Sequence, residues 1–353
     1  MEPWIGKEEE QEVLKVLRSG WITEANETKK LEGEIAAFVG SAYANVVSNG
    51  TVSLAIGLWA LGIGAGDEVI VPDFTMVASP NAVLLTGAKP VFVDIEKNTL
   101  CMDVSDVEEK ISSRTRAIMP VALNGRAPDM GRLLSICKKK NIHLLEDAAQ
   151  AFGSTWKNKY LGTFGELGSF SFSTPKVITT GQGGALVTND KNLYERIIRI
   201  KDFGRLNRNS QDHDEIGYNF KFSDILAAIG IAQMKKLPGR LKRKKEMFAL
   251  YKKELAGVAE VQFLETDLTQ VSPWFIDIFV DNPQVLKAYL YDHGIGTREF
   301  YPAIHRTKPY GSFGVFPNSR WASEHGLWLP SSSFLTDSDI ITVCGAIRKH
   351  YEH

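Results

Sequence analysis

Three stretches of this 353-residue chain carry side chains whose types and spacing suggest chemistry. The first is Asn49-Gly50-Thr51, between an apolar run and a helical pattern. A glycine at a strand-to-helix turn lets backbone amides approach an anion, and a helix N-terminus favours negative charge. The same residues also suit plain helix capping. The second is Glu146-Asp147-Ala148-Ala149-Gln150, directly after the apolar run Ile142–Leu145. Here Asp147 either holds a protonated ring nitrogen through a charge-assisted hydrogen bond or caps a following helix. Gln150, one helical turn on, would reach a neighbouring ring oxygen. The third is Ser169-Phe170-Ser171-Phe172-Ser173-Thr174-Pro175-Lys176, running into Thr179-Thr180-Gly181-Gln182-Gly183-Gly184. An isolated lysine is ordinarily a surface residue, but Lys176 follows alternating serines and is closed in by glycine-rich turns. A lysine held in this way has the lowered pKa that Schiff-base chemistry requires. Ser171 would add a hydroxyl to the anion site.

Elements that position these residues are legible from periodicity. Apolar runs at Ala44–Val47, Glu68–Val71, Pro90–Asp94, Ala117–Val121 and Ile142–Leu145 alternate with helical patterns, and short β segments follow at Phe170–Phe172 and Gly184–Thr188. This alternation predicts an α/β fold with a mostly parallel sheet covered by helices on both faces. Ligands on such sheets bind beyond the carboxyl ends of the strands, where all three stretches fall. Past Ser223 the pattern changes to two long helices, Ser223–Lys236 and Leu241–Leu255, joined at Pro238-Gly239. A strand at Trp274–Phe279, a helix at Pro283–Tyr291, a strand near Ile295–Arg298 and a last helix at Asp337–His350 complete the chain. The expected division is a large domain over 1–240 and a smaller C-terminal α/β domain over 241–353.

Composition narrows the class. Hydrophobic residues make up 44% and charged residues 24%, which excludes disordered and fibrous chains. A net charge of −1 leaves no broad basic field for nucleic acid or an anionic membrane, and no apolar run is long enough to span a bilayer. The cluster Lys235–Lys245 reads as a solvated helix face. Cys101, Cys137 and Cys344 lack metal spacing and fit reduced thiols, so no metal site and a cytoplasmic location are expected.

In chain order, then, come an anion cradle, a carboxylate for a ring nitrogen and a loop lysine, the set that pyridoxal phosphate needs. At this level the sequence resembles the DegT/DnrJ/EryC1/StrS sugar aminotransferases, which have the fold type I of pyridoxal-phosphate enzymes. The matching stretches are Ser48-Asn49-Gly50-Thr51, Gly66-Asp67-Glu68-Val69-Ile70-Val71-Pro72, Glu146 to Gln150, Lys176 with Thr179 to Gly184, Gly217-Tyr218-Asn219, and Thr297-Arg298-Glu299-Phe300-Tyr301-Pro302. What the resemblance implies agrees with the residues. Lys176 matches the lysine that bonds the cofactor and moves protons, Asp147 the partner of the ring nitrogen, and Gln150 the contact to the ring hydroxyl. Gly50, Thr51 and Ser171 match phosphate contacts. Asn219 matches a residue that reaches the phosphate from the other subunit, so a homodimer with shared active sites is implied. His213, Arg298, Tyr301 and His305 fall where relatives line the sugar-nucleotide pocket, with loop surface and packing as their other reading.

Two departures stand out. Met76 sits where many relatives place an aromatic residue over the cofactor ring, with Phe74 the alternative. The loop Ala122-Leu123-Asn124-Gly125-Arg126 differs where relatives often carry His and Tyr. The resemblance implies a transaminase that moves an amino group from glutamate to a nucleotide-linked keto sugar, a 4-keto-6-deoxy sugar aminated at C-4 before C-3, with pyridoxamine phosphate formed during turnover. A sugar dehydratase of the same fold would carry His in place of Lys176. A non-catalytic regulatory relative would have no need of Lys176, Asp147 and Gln150 together.

Overall fold

The computed structural model describes residues 4–207, 210–311 and 314–352. The large sheet takes its first five strands from β1 (Tyr43–Val47), β2 (Glu68–Pro72), β3 (Lys89–Val93), β4 (Thr115–Ile118) and β5 (His143–Asp147). A small hairpin of β6 (Thr155–Trp156) and β7 (Lys159–Tyr160) precedes β8 (Leu167–Ser171) and β9 (Gly184–Thr188), which complete the sheet. The order is β1-β9-β8-β5-β4-β2-β3. Only β9 runs antiparallel to its neighbours, β1 and β8. The mostly parallel sheet expected from sequence is therefore observed.

Alternation along the strands supplies two cores. Ile70 and Leu144 face one apolar layer, while Val69, Val71 and Leu145 face the other. In chain order the helices are α1 (Lys7–Ser19), α2 (Asn26–Val39), α3 (Gly50–Ala60), α4 (Ala78–Leu85), α5 (Val104–Lys110), α6 (Met130–Lys140) and α7 (Lys191–Lys201). They are followed by α8 (Asp224–Glu254), α9 (Pro283–Asp292), α10 (Pro317–His325) and α11 (Asp337–Tyr351). A three-stranded antiparallel sheet of β10 (Ile276–Phe279), β11 (Arg298–Glu299) and β12 (Gly326–Leu329) packs with α9, α11 and the second half of α8 around its own core. No helix of the described residues is long and apolar enough to cross a membrane.

Two local expectations need correction. Residues 224–254 form one helix, α8, with Pro238 inside it, rather than two helices joined at Pro238-Gly239. Pro238 and Gly239 face solvent, so water can serve the carbonyl that the proline leaves without a donor. Leu237, Arg240 and Lys244 continue the buried stripe across the proline. The division proposed at residue 240 falls within this helix. The second correction is that no helix follows Asp147: residues 148–153 are turns, and Asp147 ends β5.

Candidate active site

Beyond the carboxyl ends of β1, β2, β5 and β8 lies a cavity of about 560 Å³. Its lining includes Gly50, Thr51, Met76, Asp147, Gln150, Ser171, Lys176, Arg298 and Tyr301, so nine of the residues singled out in the sequence meet in one place. At one end is the N-terminus of α3. Asn49 caps it by accepting the Val52 N–H at Oδ1 (2.9 Å), and Gly50 and Thr51 begin the helix and line the cleft. Opposite stands Ser171 at the end of β8, with Ser173 beyond it. The approach is close: a Cβ on Gly50 would lie 2.9 Å from Ser171 Cβ. β9 adds a second close approach, since a Cβ on Gly184 would lie 2.6 Å from the Asn49 carbonyl carbon. Glycine at both positions is a packing requirement of the cradle.

Asp147 is 5% exposed. Ser79 Oγ donates to its Oδ2 (2.7 Å), and the Ala149 N–H donates to its Oδ1 (3.1 Å). Burial pushes its pKa up, and these two donors and the Lys176 charge oppose that shift. Lys176 Nζ lies 3.7 Å over the Trp274 ring, whose Nε1–H donates to Pro175 O (2.6 Å). Burial takes Lys176 from the usual lysine value down to about 7; Asp147 resists the shift and Arg298 adds to it. Arg298 is exposed, with its guanidinium carbon 5.8 Å from the Tyr301 ring and 5.5 Å from that of Trp328. The Tyr301 hydroxyl is pushed up to about 12 by burial. Met76 borders the cleft, whereas Phe74 is fully buried against Phe300 and does not line it.

Three of the sequence-derived residues do not line this cavity. His305 turns its Nδ1 to Asp73 Oδ2 (2.6 Å) and donates its backbone N–H to Asp73 Oδ1 (2.8 Å), tying the segment after β11 to the end of β2. His213 is exposed, with Nδ1 2.7 Å from Phe203 O. Asn219 is also exposed and pairs through its backbone with Asp202. Conversely, Ser79 and Trp274 were not foreseen, and Gln182, though within the glycine-rich stretch, was given no role. Trp274 was read only as the start of a strand, and neither it nor Ser79 stands in a motif.

The donor set suits pyridoxal phosphate. Amides and hydroxyls form an anion cradle that a Cβ at Gly50 would fill. A buried carboxylate sits mid-cleft, and a lysine with a strongly lowered pKa stands over an aromatic wall.

Comparison with known proteins agrees with this geometry. The model of the DegT/DnrJ/EryC1/StrS aminotransferase family matches residues 3–348. A protein named GDP-perosamine synthase from Escherichia coli O157:H7 is 40% identical over 351 residues, covering 98% of this chain and 96% of its own. A protein of the same name from Vibrio cholerae is 34% identical, covering 99% of this chain and 98% of its own. Among solved structures, S. venezuelae DesV in complex with a ketimine intermediate superposes with a TM-score of 0.93 at 31% identity, covering 98% of this chain and 95% of its own. The chain belongs to the DegT/DnrJ/EryC1/StrS aminotransferase family, enzymes of fold type I that depend on pyridoxal phosphate.

Proposed function

We propose that this sugar aminotransferase moves an amino group from glutamate to C-4 of a nucleotide-linked 4-keto-6-deoxy sugar, with GDP as the nucleotide, and works as a homodimer. The observation that carries the chemistry is that Lys176 and Asp147 open on one cleft whose far end is an anion cradle. The two relatives named GDP-perosamine synthase support the acceptor and the nucleotide.

In this reading the cradle of Gly50, Thr51 and Ser171 holds the cofactor phosphate, Gln150 contacts the ring oxygen and Met76 packs on the ring. When bound, pyridoxal phosphate supplies an aldehyde that condenses with amines and a ring that takes up electrons when a C–H bond is broken. Asp147 keeps a proton on the ring nitrogen, because a buried carboxylate gains most from a cationic partner. Ser79 and the Ala149 amide hold that carboxylate in one orientation. Lys176, with a pKa of about 7, is substantially uncharged near neutrality and both accepts and returns protons at Nζ. Arg298 gives a free cation at the cleft mouth for the carboxylate of glutamate or the phosphates of the sugar nucleotide. Tyr301 lines the same side. His305 stands behind Asp73, and His213 reaches the nucleotide from the neighbouring loop. Asn219 serves the partner's cradle; its exposure, beside exposed Ile216 and Tyr218, supports that reading.

The test is direct. Protein loaded with pyridoxal phosphate is reduced with borohydride and mapped, with the pyridoxyl group expected on Lys176. It is then given glutamate and a GDP-linked 4-keto-6-deoxy hexose. Mass spectrometry and NMR should show nitrogen at C-4; loss of water from the sugar, or label on another lysine, overturns the reading.

A further inference from the structure

Asn124 joins two walls of the cleft. It is 2% exposed and lies in the loop after β4 with φ +51°, a left-handed conformation that Asn tolerates better than most residues. Its backbone N–H donates to Gln150 Oε1 (2.9 Å). A backbone N–H can only donate, so Gln150 must turn its oxygen toward Asn124, which leaves Nε2 for the cleft that Gln150 lines. The carboxamide of Asn124 faces the small domain. Nδ2 donates to Phe275 O (3.0 Å) and Oδ1 accepts the Phe275 N–H (2.7 Å), closing a two-bond ring. Phe275 follows Trp274, whose ring carries Lys176 Nζ.

The loop around Asn124 has little freedom. The Asp147 N–H donates to Pro120 O (2.9 Å), and the Ala122 N–H donates to Asp147 O (3.0 Å). Gly125 has φ +83°, and a Cβ there would lie 2.8 Å from Ser272 O. Arg126 holds Asp277 with two bonds of 2.6 and 2.9 Å, both side chains almost fully buried. The Arg126–Asp277 pair is buried, although Arg126 Nε finds no partner among the described residues, and these contacts together restrict the loop.

We propose that Asn124 is a positioning residue that sets the Gln150 amide and the Trp274 ring together, so that the small domain fixes the geometry around Lys176. The proposal rests on the aminotransferase reading above. It assigns Asn124 no contact with substrate or cofactor; the residue acts through its neighbours.

The test uses the loaded enzyme. Asn124→Gly keeps the positive φ and the N–H to Gln150 but loses the bonds to Phe275. Asn124→Asp keeps Oδ1 as the acceptor for the Phe275 N–H and replaces the donor by a carboxylate oxygen that faces Phe275 O. Ser272→Ala, which removes a different contact between the domains, is the control. In both Asn124 variants pyridoxal phosphate should bind about tenfold or more weakly, as expected for lost buried hydrogen bonds. The pH midpoint of the bound cofactor's visible band should also move, while Ser272→Ala leaves both unchanged. In a Gln150→Ala background the Asn124→Gly step should cost less affinity than in the wild type. Wild-type affinity and band in both Asn124 variants overturn the proposal, as does an equal step in the two backgrounds. A wild-type protein that takes up no cofactor, or labels away from Lys176, instead rejects the aminotransferase reading and this role with it.

Discussion

Gly50→Ala tests the cradle by adding a single methyl group. The new Cβ would lie 2.9 Å from Ser171 Cβ, 3.1 Å from its Oγ and 3.5 Å from its Cα. The first of these belongs to a residue anchored at the end of β8, so it cannot swing aside as a long side chain would. The backbone needs no unusual φ at this position, so the entire penalty is steric. Overpacking of this kind costs about 1–3 kcal/mol. Better helix propensity of alanine returns at most about 1 kcal/mol, and less at the first helical position. A net loss of about 1–2 kcal/mol is therefore expected in urea unfolding of the cofactor-free protein. Because the strain parts α3 from Ser171, a loss of the same size in binding should lower cofactor affinity by about five- to thirtyfold, at about 1.4 kcal/mol for each factor of ten. The double variant Gly50→Ala/Ser171→Gly removes the opposing Cβ and leaves only the Cα at ordinary contact distance. Its unfolding midpoint should return toward wild type, while affinity stays low for want of the hydroxyl. If Gly50→Ala alone unfolds and binds cofactor like the wild type, the close approach is not what shapes this site.

Asp147→Asn should lower turnover by orders of magnitude while leaving the folded protein intact, because the ring nitrogen loses its partner; near-normal turnover would place the ring partner elsewhere. Since Lys176 must be uncharged to condense and its pKa lies at about 7, the rate at which cofactor-free protein captures pyridoxal phosphate should rise with pH and level off just above 7. A rate still climbing toward the ordinary lysine value refutes that environment. Arg126→Met leaves buried Asp277 without its cation and should cost about 3–5 kcal/mol in urea unfolding, while Arg126→Met/Asp277→Leu should recover most of it. Finally, Lys176→Ala and Asn219→Asp subunits, each inactive alone, should regain activity when mixed, because one site of the hybrid would then carry neither lesion. No rescue in demonstrated heterodimers would reject the shared site.

What the sequence could show was local. The strand runs, the Asn49-Gly50 helix start and the enclosed Lys176 each follow from residues close together in the chain, where periodicity and turn chemistry act directly. Their order also carried the family resemblance, and with it the expectation of one cleft. The partners that tune the site were hidden because they are distant in sequence. Ser79 reaches Asp147 across 68 residues, and Asn124 meets Phe275 across 151. Those meetings depend on strand order and on how the small sheet docks, and no window of sequence encodes either. The two corrected helices have the same origin. Pro238 breaks a helix by local rules, yet α8 continues because its buried stripe holds both halves and the proline faces water. Asp147 can cap a helix by local rules, yet it ends a strand because β4 and β8 flank β5 and pair with its backbone. Residue chemistry was thus legible from the chain alone, whereas the tertiary structure decided which groups face one another and with what pKa, since burial and long-range contact exist only in the fold.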